Sequence, residues 1–297
     1  MPGQRMAAVD IGTNSCRLLI ADIKGKCITP VLYTIRTTRI GEGLGESGLL
    51  GEVPMERTIT ALKEYLDLIR EFKVAHLRVV ATSAVREAAN AAFFLVRLRE
   101  TTGIPVDVIS GTEEARLTYT GACGAVHCKG TGIVIDIGGG STEFTYPIQD
   151  KGGSRLSCCS IPLGAVRLTE QPRLLSEIIG PMKDVLNKIE GLPHPNLVGV
   201  GGTITTLAAV DQSLQVYESE RIQGYLLSKQ AVERIMLSLA VKNSEERKKV
   251  SGLLPERADI IIAGTTILWA ILAYLDAPEI TVSEADLLHG IIQELQC

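Results

Sequence analysis

The chain has 297 residues and a formal net charge of −4, with 45% hydrophobic and 22% charged residues. This composition is typical of a globular protein and excludes an intrinsically disordered chain, which would be poor in apolar residues. The mildly acidic balance argues against nucleic-acid binding driven by bulk charge, so no nucleic-acid partner is expected. The length favours two domains.

The first half of the chain reads as alternating strands and helices. Residues 7–22 form two apolar runs separated by a small polar turn. Ile59, Leu62, Leu66 and Ile69 recur at helical spacing, which predicts a helix over 54–73. The pattern then predicts a strand at 77–81, a helix near 88–101, a short strand at 106–109 and a helix from 112 to about 125.

The second half repeats this alternation and contains more helices. They are predicted near 172–190, 203–210, 229–241 and 257–275, with a terminal helix from about 284. The boundary is expected between Gly121 and Gly132, which gives domains 1–126 and 127–297. The C-terminal helix 284–297 is a candidate to pack back onto the first domain.

The most apolar stretch, 260–275, predicts a buried helix rather than a membrane span. Asp259 and Asp276 bound it, and it is shorter than the ~18–20 residues that a spanning helix needs. The N-terminus reaches Asp10 before an apolar core of signal-peptide length can form. Seven cysteines without a CxxC pair favour a reducing compartment. We therefore expect a cytoplasmic protein without a membrane partner.

An internal repeat relates the two halves. Residues 7–22 read AAVDIGTNSCRLLIAD and residues 133–148 read IVIDIGGGSTEFTYPI, with the two Asp-Ile-Gly units 126 residues apart. A second pair of similar segments, 78–89 and 198–209, is offset by 120 residues. Two matches with similar offsets indicate a duplicated α/β fold.

The turn of each repeat is a candidate phosphate-binding loop. Turns of Gly, Ser, Thr and Asn expose several backbone N–H groups in one direction, and such nests bind phosphate oxygens. An ordinary hairpin turn is the alternative, but it needs at most two residues with positive φ, fewer than the three glycines of the second loop. The candidate residues are Thr13, Asn14 and Ser15 in the first loop and Gly138, Gly139, Gly140 and Ser141 in the second.

Acidic residues next to these turns suggest metal binding and catalysis. Asp10 and Asp136 end the first strand of each repeat, where a carboxylate can hold Mg²⁺ through water. In the segment ISGTEEARL, Ser110 and Glu113 have the spacing of a capping box. Glu114 could simply complement the helix dipole, but its place at the junction of the halves favours activation of a water for attack on phosphorus.

These motifs together resemble one family. DIGTNS, ATSAVREAAN, ISGTEEAR, VIDIGGGSTE and GVGGT occur in the order seen in the exopolyphosphatase/guanosine pentaphosphate phosphatase (Ppx/GppA) family, and the resemblance extends from residue 7 to about 292. It implies two duplicated ribonuclease H-like, actin-like ATPase domains, each a mixed sheet flanked by helices, with the active site in the cleft between them. The chain resembles the short, two-domain form of the family.

The resemblance also implies roles for individual residues. Glu114 matches the catalytic base, Asp136 and Glu143 match acidic positions in catalysis and Mg²⁺ binding, and Arg86 matches a cleft arginine. The alternative for Arg86 is a solvated cation at a helix start, but an arginine fork suits phosphate oxygens. The third glycine motif adds Gly201, Gly202 and Thr203 to the phosphate-binding set. Asp10, Asp136 and Glu143 form the predicted metal site.

One position departs from the family pattern. The family usually has a leucine-x-glutamate-glycine pattern near the C-terminus, whereas His289 precedes Gly290 here. A single histidine on an apolar helix is more often packed in the core than a ligand, so His289 is left without a role.

The function implied is Mg²⁺-dependent, processive exopolyphosphatase activity, in which a glutamate activates the water that releases terminal phosphate. Carboxylates accept Mn²⁺ as well, and the family tendency is a homodimer. Long polyphosphate would extend along basic residues that include Arg167. The alternatives are guanosine pentaphosphate hydrolysis, a kinase of the same superfamily, a non-catalytic sensor of polyphosphate or nucleotide, and an actin-like filament former.

Overall fold

The structure is a computed structural model that describes residues 4–25, 27–126, 131–150 and 153–296. The chain divides into two units. Unit 1 comprises Met1–Gly121 with Leu287–Cys297, and unit 2 comprises Ala122–Asp286. Part of the predicted connection between the halves, residues 127–130, lies outside the described residues.

Unit 1 contains a mixed five-stranded sheet with the order β3-β2-β1-β4-β5. Strand β1 is antiparallel to β2 and parallel to β4, and β5 is parallel to β4. The elements in chain order are β1 (Gln4–Ile11), β2 (Cys16–Lys24), β3 (Cys27–Arg36), α1 (Leu44–Ser47), α2 (Glu52–Glu71), β4 (His76–Ala81), α3 (Ser83–Glu87), α4 (Ala91–Thr102), β5 (Asp107–Val108) and α5 (Gly111–Ala125).

The core of unit 1 follows from the apolar stripe predicted on α2. Ile59, Leu62 and Leu66 are buried, together with Phe94 of α4. The hydroxyl of the buried Tyr65 donates a hydrogen bond of 2.8 Å to the Cys16 carbonyl, so that its one polar atom is satisfied. This packing fixes α2 against the strand that follows the first glycine-containing turn.

Unit 2 repeats the topology of unit 1 with one additional edge strand. Its six-stranded sheet has the order β10-β11-β9-β6-β7-β8. The elements are β6 (Thr131–Ile137), β7 (Thr142–Asp150), β8 (Gly153–Ile161), α6 (Ala165–Glu170), α7 (Leu175–Ile179), α8 (Lys183–Glu190), β9 (Pro195–Val200), α9 (Gly202–Asp211), α10 (Ser219–Ile222), β10 (Leu226–Ser228), α11 (Lys229–Ala240), α12 (Ser244–Arg247), α13 (Ile261–Tyr274) and β11 (Glu279–Val282). The predicted pair of similar α/β units with mixed sheets is confirmed.

Two predicted helices of unit 2 differ from the structure. The single helix expected over 172–190 is divided into α7, a 3₁₀ turn at Gly180–Met182 and α8, because Pro181 has no N–H to continue the helical hydrogen bonds. The helix expected over 257–275 is α13, which begins only at Ile261 after a second 3₁₀ turn at Pro255–Arg257. As predicted, the apolar α13 is buried. In the described part of the chain, no helix has the length and hydropathy of a membrane span.

The last helix, α14 (Leu287–Glu294), packs on the sheet of unit 1. Its buried residues, among them Leu288 and Ile291, lie in one cluster with Ala8 of β1 and Leu19 of β2. Gly290 faces α5 so closely that a Cβ atom there would overlap the backbone of Leu117. Glycine at 290 is therefore a requirement of helix packing.

Substitution Gly290→Ala is expected to lower the free energy of unfolding by about 1–3 kcal/mol, because the added methyl group has to displace α14 or α5. Urea unfolding followed by circular dichroism measures this change. Gly191→Ala is the control, since a Cβ atom at that position makes only ordinary van der Waals contacts, the nearest at 3.6 Å, and its φ of −77° suits any residue. Equal stability of Gly290→Ala and wild type would contradict the close approach of the two helices.

Candidate active site

The two predicted phosphate loops have the same backbone closure. In unit 1 the Gly12 N–H donates to the Ser15 carbonyl at 3.0 Å, and in unit 2 the Gly138 N–H donates to the Ser141 carbonyl at 3.0 Å. These residues are equivalent in the internal repeat. In the first loop Thr13, Asn14 and Ser15 are each less than a tenth exposed, as is Ser141 in the second. The repeat in the sequence is therefore a repeat of two hairpin turns.

Two carbonyl groups of the first loop accept hydrogen bonds from the segment that follows β3. Those of Thr13 and Asn14 accept hydrogen bonds from the N–H groups of Gly41 (3.0 Å) and Arg39 (2.9 Å). Because C=O and N–H of a trans peptide point in opposite directions, fixing the carbonyls orients the N–H groups to the other side of the turn. In addition, Asn14 Oδ1 is buried without a hydrogen-bond partner. As an acceptor, this oxygen would bind a cation or a hydrogen-bond donor rather than a phosphate oxygen.

A side chain of α2 supports the segment behind the first loop. Arg57 Nε donates to the Thr38 carbonyl at 2.8 Å, and its Nη2 donates to Glu42 Oε2 at 2.6 Å. Arg57 thus bridges the two ends of the turn that carries Arg39, a residue with a φ of 50°. The turn at 38–42 therefore supports the first loop, and Arg57 of α2 supports that turn.

Carbonyl groups of the second loop likewise accept hydrogen bonds, here from the N–H groups in the first turn of α6. The Gly138 carbonyl accepts from the Ala165 N–H at 2.9 Å, and the Gly139 carbonyl accepts from the Val166 N–H at 2.8 Å and the Arg167 N–H at 3.1 Å. The Arg167 side chain completes the set with a hydrogen bond of 2.9 Å from Nε to the carbonyl of the third glycine.

The strand-end carboxylates have different environments in the two units. Asp10 lies opposite Arg17 on β2, whose Nη2 and Nε donate to Asp10 Oδ2 at 2.6 and 3.0 Å. The equivalent Asp136 lies opposite a second acid, Glu143, on β7. Glu143 is 2% exposed and accepts a hydrogen bond of 2.6 Å from Ser160 Oγ. Unit 1 therefore pairs opposite charges at this position, and unit 2 pairs like charges.

The like-charge pair of unit 2 fits a divalent cation. Two carboxylates directly opposite each other on paired strands destabilise a sheet unless a positive charge offsets them. Mg²⁺ is typically held by one or two carboxylates, with water and substrate phosphate completing its shell. Asp136 and Glu143 supply such a pair, whereas the third predicted ligand, Asp10, is bound by Arg17 within its own unit. In the described ranges, no group of three or more His, Cys, Asp or Glu side chains could hold a metal ion.

The third glycine motif lies beside this carboxylate pair. Strand β9 is parallel to β6, with Val200 in register with Asp136. Gly201 follows at a φ of 89°, and a Cβ atom there would lie 2.5 Å from Asp136 Oδ1. The backbone can therefore approach the carboxylate only with glycine at 201. At Gly202 the guanidinium of Arg257 occupies the place of a side chain, and Thr203 is buried.

The capping box predicted at the start of α5 forms in part. Ser110 Oγ accepts the Glu113 N–H at 3.1 Å, as expected. The carboxylate of Glu113 binds Arg78 Nη2 at 2.9 Å instead of returning to the helix start. Arg78 also binds Asp107 and Glu294. Although burial opposes it, the hydrogen bonds with Glu113 and Asp107 raise the pKa of Arg78. Glu113 therefore belongs to an ion-pair network that joins β4, β5, α5 and α14.

The adjacent carboxylate, Glu114, binds a different arginine. Arg86 Nη1 donates to Glu114 Oε2 at 3.0 Å and to the Ile109 carbonyl at 2.9 Å. Glu114 is 8% exposed. Two residues that were predicted to be catalytic are thus in contact, and the arginine fixes the orientation of the carboxylate.

Sequence reasoning assigned no role to several side chains that contact these motifs. Arg17 occupies the position that Glu143 holds in the other repeat, so aligning the repeats could have identified it. Arg57 and Arg257 come from distant segments, and no local pattern marks them. Arg167 was expected to contact long polyphosphate, and the structure places its guanidinium on the second loop.

The thiol next to the first loop is unsuited to nucleophilic chemistry. Burial, together with the negative charge of Asp10, raises the pKa of Cys16. The thiol therefore stays protonated at neutral pH, and the thiolate is the form that attacks electrophiles.

The chain is similar to several known proteins. The model of the Ppx/GppA phosphatase family matches residues 19–296. The chain is 31% identical over 317 residues to exopolyphosphatase 2 of Mycobacterium tuberculosis, with 98% of each protein covered. The crystal structure of the Aquifex aeolicus member of the Ppx/GppA family superposes with a TM-score of 0.80 at 34% identity, covering 99% of this chain and 98% of that one.

Other relatives are longer than this chain. The chain is 35% identical over 311 residues to the bifunctional 3-dehydroquinate synthase/phosphatase of Fusobacterium nucleatum, covering 97% of this chain and 46% of that protein. It is 28% identical over 312 residues to a guanosine-5'-triphosphate,3'-diphosphate pyrophosphatase of Aliivibrio fischeri, covering 98% of this chain and 60% of that one. The chain thus spans about half the length of these two relatives.

Substitution Glu113→Gln is expected to lower the free energy of unfolding by about 1 kcal/mol or less and to leave phosphate release unchanged. Arg78 keeps Asp107 and Glu294 as partners, and a partly exposed ion pair contributes little. Thermal unfolding and a phosphate-release assay measure the two effects, with Glu100→Gln on the exposed side of α4 as control. A loss of activity without a loss of stability would transfer the catalytic role from Glu114 to Glu113.

Proposed function

Because the chain belongs to the Ppx/GppA phosphatase family, we propose that it is an exopolyphosphatase, which hydrolyses the terminal phosphoanhydride of inorganic polyphosphate processively with Mg²⁺. The observation that carries the proposal is the contact between Arg86 and the buried Glu114 at the start of α5. Phosphoryl transfer needs a positioned water and stabilised charge rather than a covalent intermediate, and these two side chains supply a base and a cation.

Binding of the substrate is assigned to the two turns. Carbonyl groups of both turns accept hydrogen bonds from neighbouring segments, so the N–H groups of 13–15 and 139–141 would bind oxygens of the terminal phosphate. Gly201, Gly202 and Thr203 would add donors beside the carboxylates of unit 2. Arg86 would offset part of the negative charge of the substrate.

The chemical step is assigned to Glu114. The carboxylate would accept a proton from water as the water oxygen forms its bond to the terminal phosphorus, and the bond from phosphorus to the bridging oxygen breaks. The products are orthophosphate and a chain that is one phosphate shorter. The hydrogen bond from Arg86 would keep the carboxylate oriented toward the water.

Asp136 and Glu143 would hold the divalent cation. When bound, Mg²⁺ supplies positive charge that stabilises the charge developing on phosphate oxygens, and Mn²⁺ can take the same oxygen ligands. Asp10 would act as the third metal ligand through Oδ1, because both hydrogen bonds from Arg17 go to Oδ2. Its contact with Arg17 also orients that arginine beside the first loop.

A second candidate is hydrolysis of guanosine pentaphosphate to the tetraphosphate. The pyrophosphatase of Aliivibrio fischeri, with its 28% identity over nearly the whole of this chain, supports it. Both substrates end in a phosphoanhydride, so the same residues would serve.

The proposal further includes a homodimer that works in the cytoplasm. Analytical ultracentrifugation at several concentrations tests the dimer.

Phosphate release with Mg²⁺, measured for long-chain polyphosphate and for guanosine pentaphosphate at equal concentrations of end groups, tests the substrate. We expect the larger kcat/KM for polyphosphate. A larger value for the nucleotide would replace the first candidate with the second. Binding of polyphosphate without release of phosphate would instead support a non-catalytic sensor.

Substitution Glu114→Gln is expected to lower kcat by about 10²–10⁴-fold and to change KM little, because the amide cannot accept the proton of the attacking water. Steady-state phosphate release measures both constants, and Glu113→Gln is the matched control one residue away. Near-normal kcat in Glu114→Gln would show that this carboxylate is not the base.

A further inference from the structure

The three consecutive glycines of the second loop are costly to order. Glycine loses more conformational freedom on folding than any other residue, and 138–140 contains three of them in succession. A turn that binds phosphate through its N–H groups has to be ordered before the ligand arrives, or the binding energy is spent on ordering it. The hydrogen bonds that reach the loop from α6 can provide this order.

Helix α6 is a rigid support for the loop. Its Ala165 and Leu168 are buried, and the helix packs against the apolar α13. Gly164, at the helix start, approaches the loop so closely that a Cβ atom would lie 2.5 Å from the Gly139 carbonyl carbon. The contact between helix and loop therefore leaves no room for a side chain at 164.

Two of the three glycine carbonyls accept hydrogen bonds from backbone N–H groups, and the third accepts one from a side chain. The N–H groups of α6 bind the carbonyls of Gly138 and Gly139, whereas the Gly140 carbonyl accepts from Nε of Arg167 at 2.9 Å. A hydrogen bond from a guanidinium is charge-assisted and stronger than one between neutral groups. The peptide N–H next to that carbonyl belongs to Ser141, the last residue of the loop.

We propose that Arg167 is a positioning residue, which holds the Gly140 carbonyl and thereby preorganises the N–H groups of 139–141 for phosphate. This inference rests on the proposed function. In this proposal the guanidinium binds the protein backbone, whereas in a basic track along the substrate it would bind polyphosphate. The two assignments differ in what each requires of the side chain at 167.

The variant Arg167→Gln separates the two assignments. Glutamine places an amide N–H at the same number of bonds from the backbone as Nε of arginine, so it can donate to the Gly140 carbonyl without carrying a charge. A positioning role predicts that the KM of Arg167→Gln stays close to the wild-type value. Direct attraction of the substrate by charge predicts that Gln and Ala are equally defective.

Substitution Arg167→Ala is expected to raise KM for polyphosphate about tenfold with kcat within about twofold of wild type, as loss of one charge-assisted hydrogen bond in the binding loop would do. Arg173→Ala, which removes an exposed arginine six residues further along, is the control and should leave both constants unchanged. An unchanged KM in Arg167→Ala, or equal defects in Ala and Gln, would overturn the inference.

Hydrogen exchange of the protein without substrate tests the same inference independently of catalysis. The N–H groups of Ala165 and Val166 bind the loop carbonyls, so their exchange reports on contact between helix and loop. In Arg167→Ala their exchange should become about tenfold faster, and in Arg167→Gln it should stay close to wild type. Unchanged exchange in the alanine variant would refute positioning. If the wild-type protein released no phosphate, the proposed function would be refuted. Hydrogen exchange at Ala165 and Val166 would still test the positioning role of Arg167.

Discussion

The fixed carbonyl groups behind two hairpin turns are the constraint on which the rest of the site depends. In unit 1 the Gly41 N–H binds the Thr13 carbonyl, and in unit 2 the N–H groups of Val166 and Arg167 bind the Gly139 carbonyl. A peptide group can present its N–H to a ligand only when its C=O is accommodated elsewhere. Both turns meet that condition with donors from the segment that follows the third strand of the sheet.

The two units then diverge in charge at one register position. Arg17 neutralises Asp10 in unit 1, while Glu143 adds to the charge of Asp136 in unit 2. A duplicated hairpin has thus given one unit an internal ion pair and the other a pair of acids that favours a cation. Under the proposed function, metal binding would lie chiefly in unit 2, and the proposed base Glu114 with its partner Arg86 lies in unit 1.

The sequence was sufficient to predict the two strands of each repeated hairpin, the strand that became β4, the long amphipathic helices and the repeat, because these depend on local periodicity. It also indicated both loops through their small polar residues and glycines. The helix break at Pro181 was missed because it depends on one residue. The strands β3, β8 and β10, which lie at sheet edges, and the four-residue β11 were not predicted. The role of Glu113 was predicted from spacing, but its partner Arg78 lies 35 residues away. Contacts of this kind are set by tertiary packing and leave no local signal.

The central claim is that both turns bind phosphate through their N–H groups. Amide chemical shifts of ¹⁵N-labelled Glu114→Gln protein, recorded while inorganic tripolyphosphate is added with Mg²⁺, test it most directly, because this variant should bind without turnover. The account predicts saturable shifts of the amides of 13–15 and of 139–141. Saturable binding that leaves both sets of amides unshifted would contradict it.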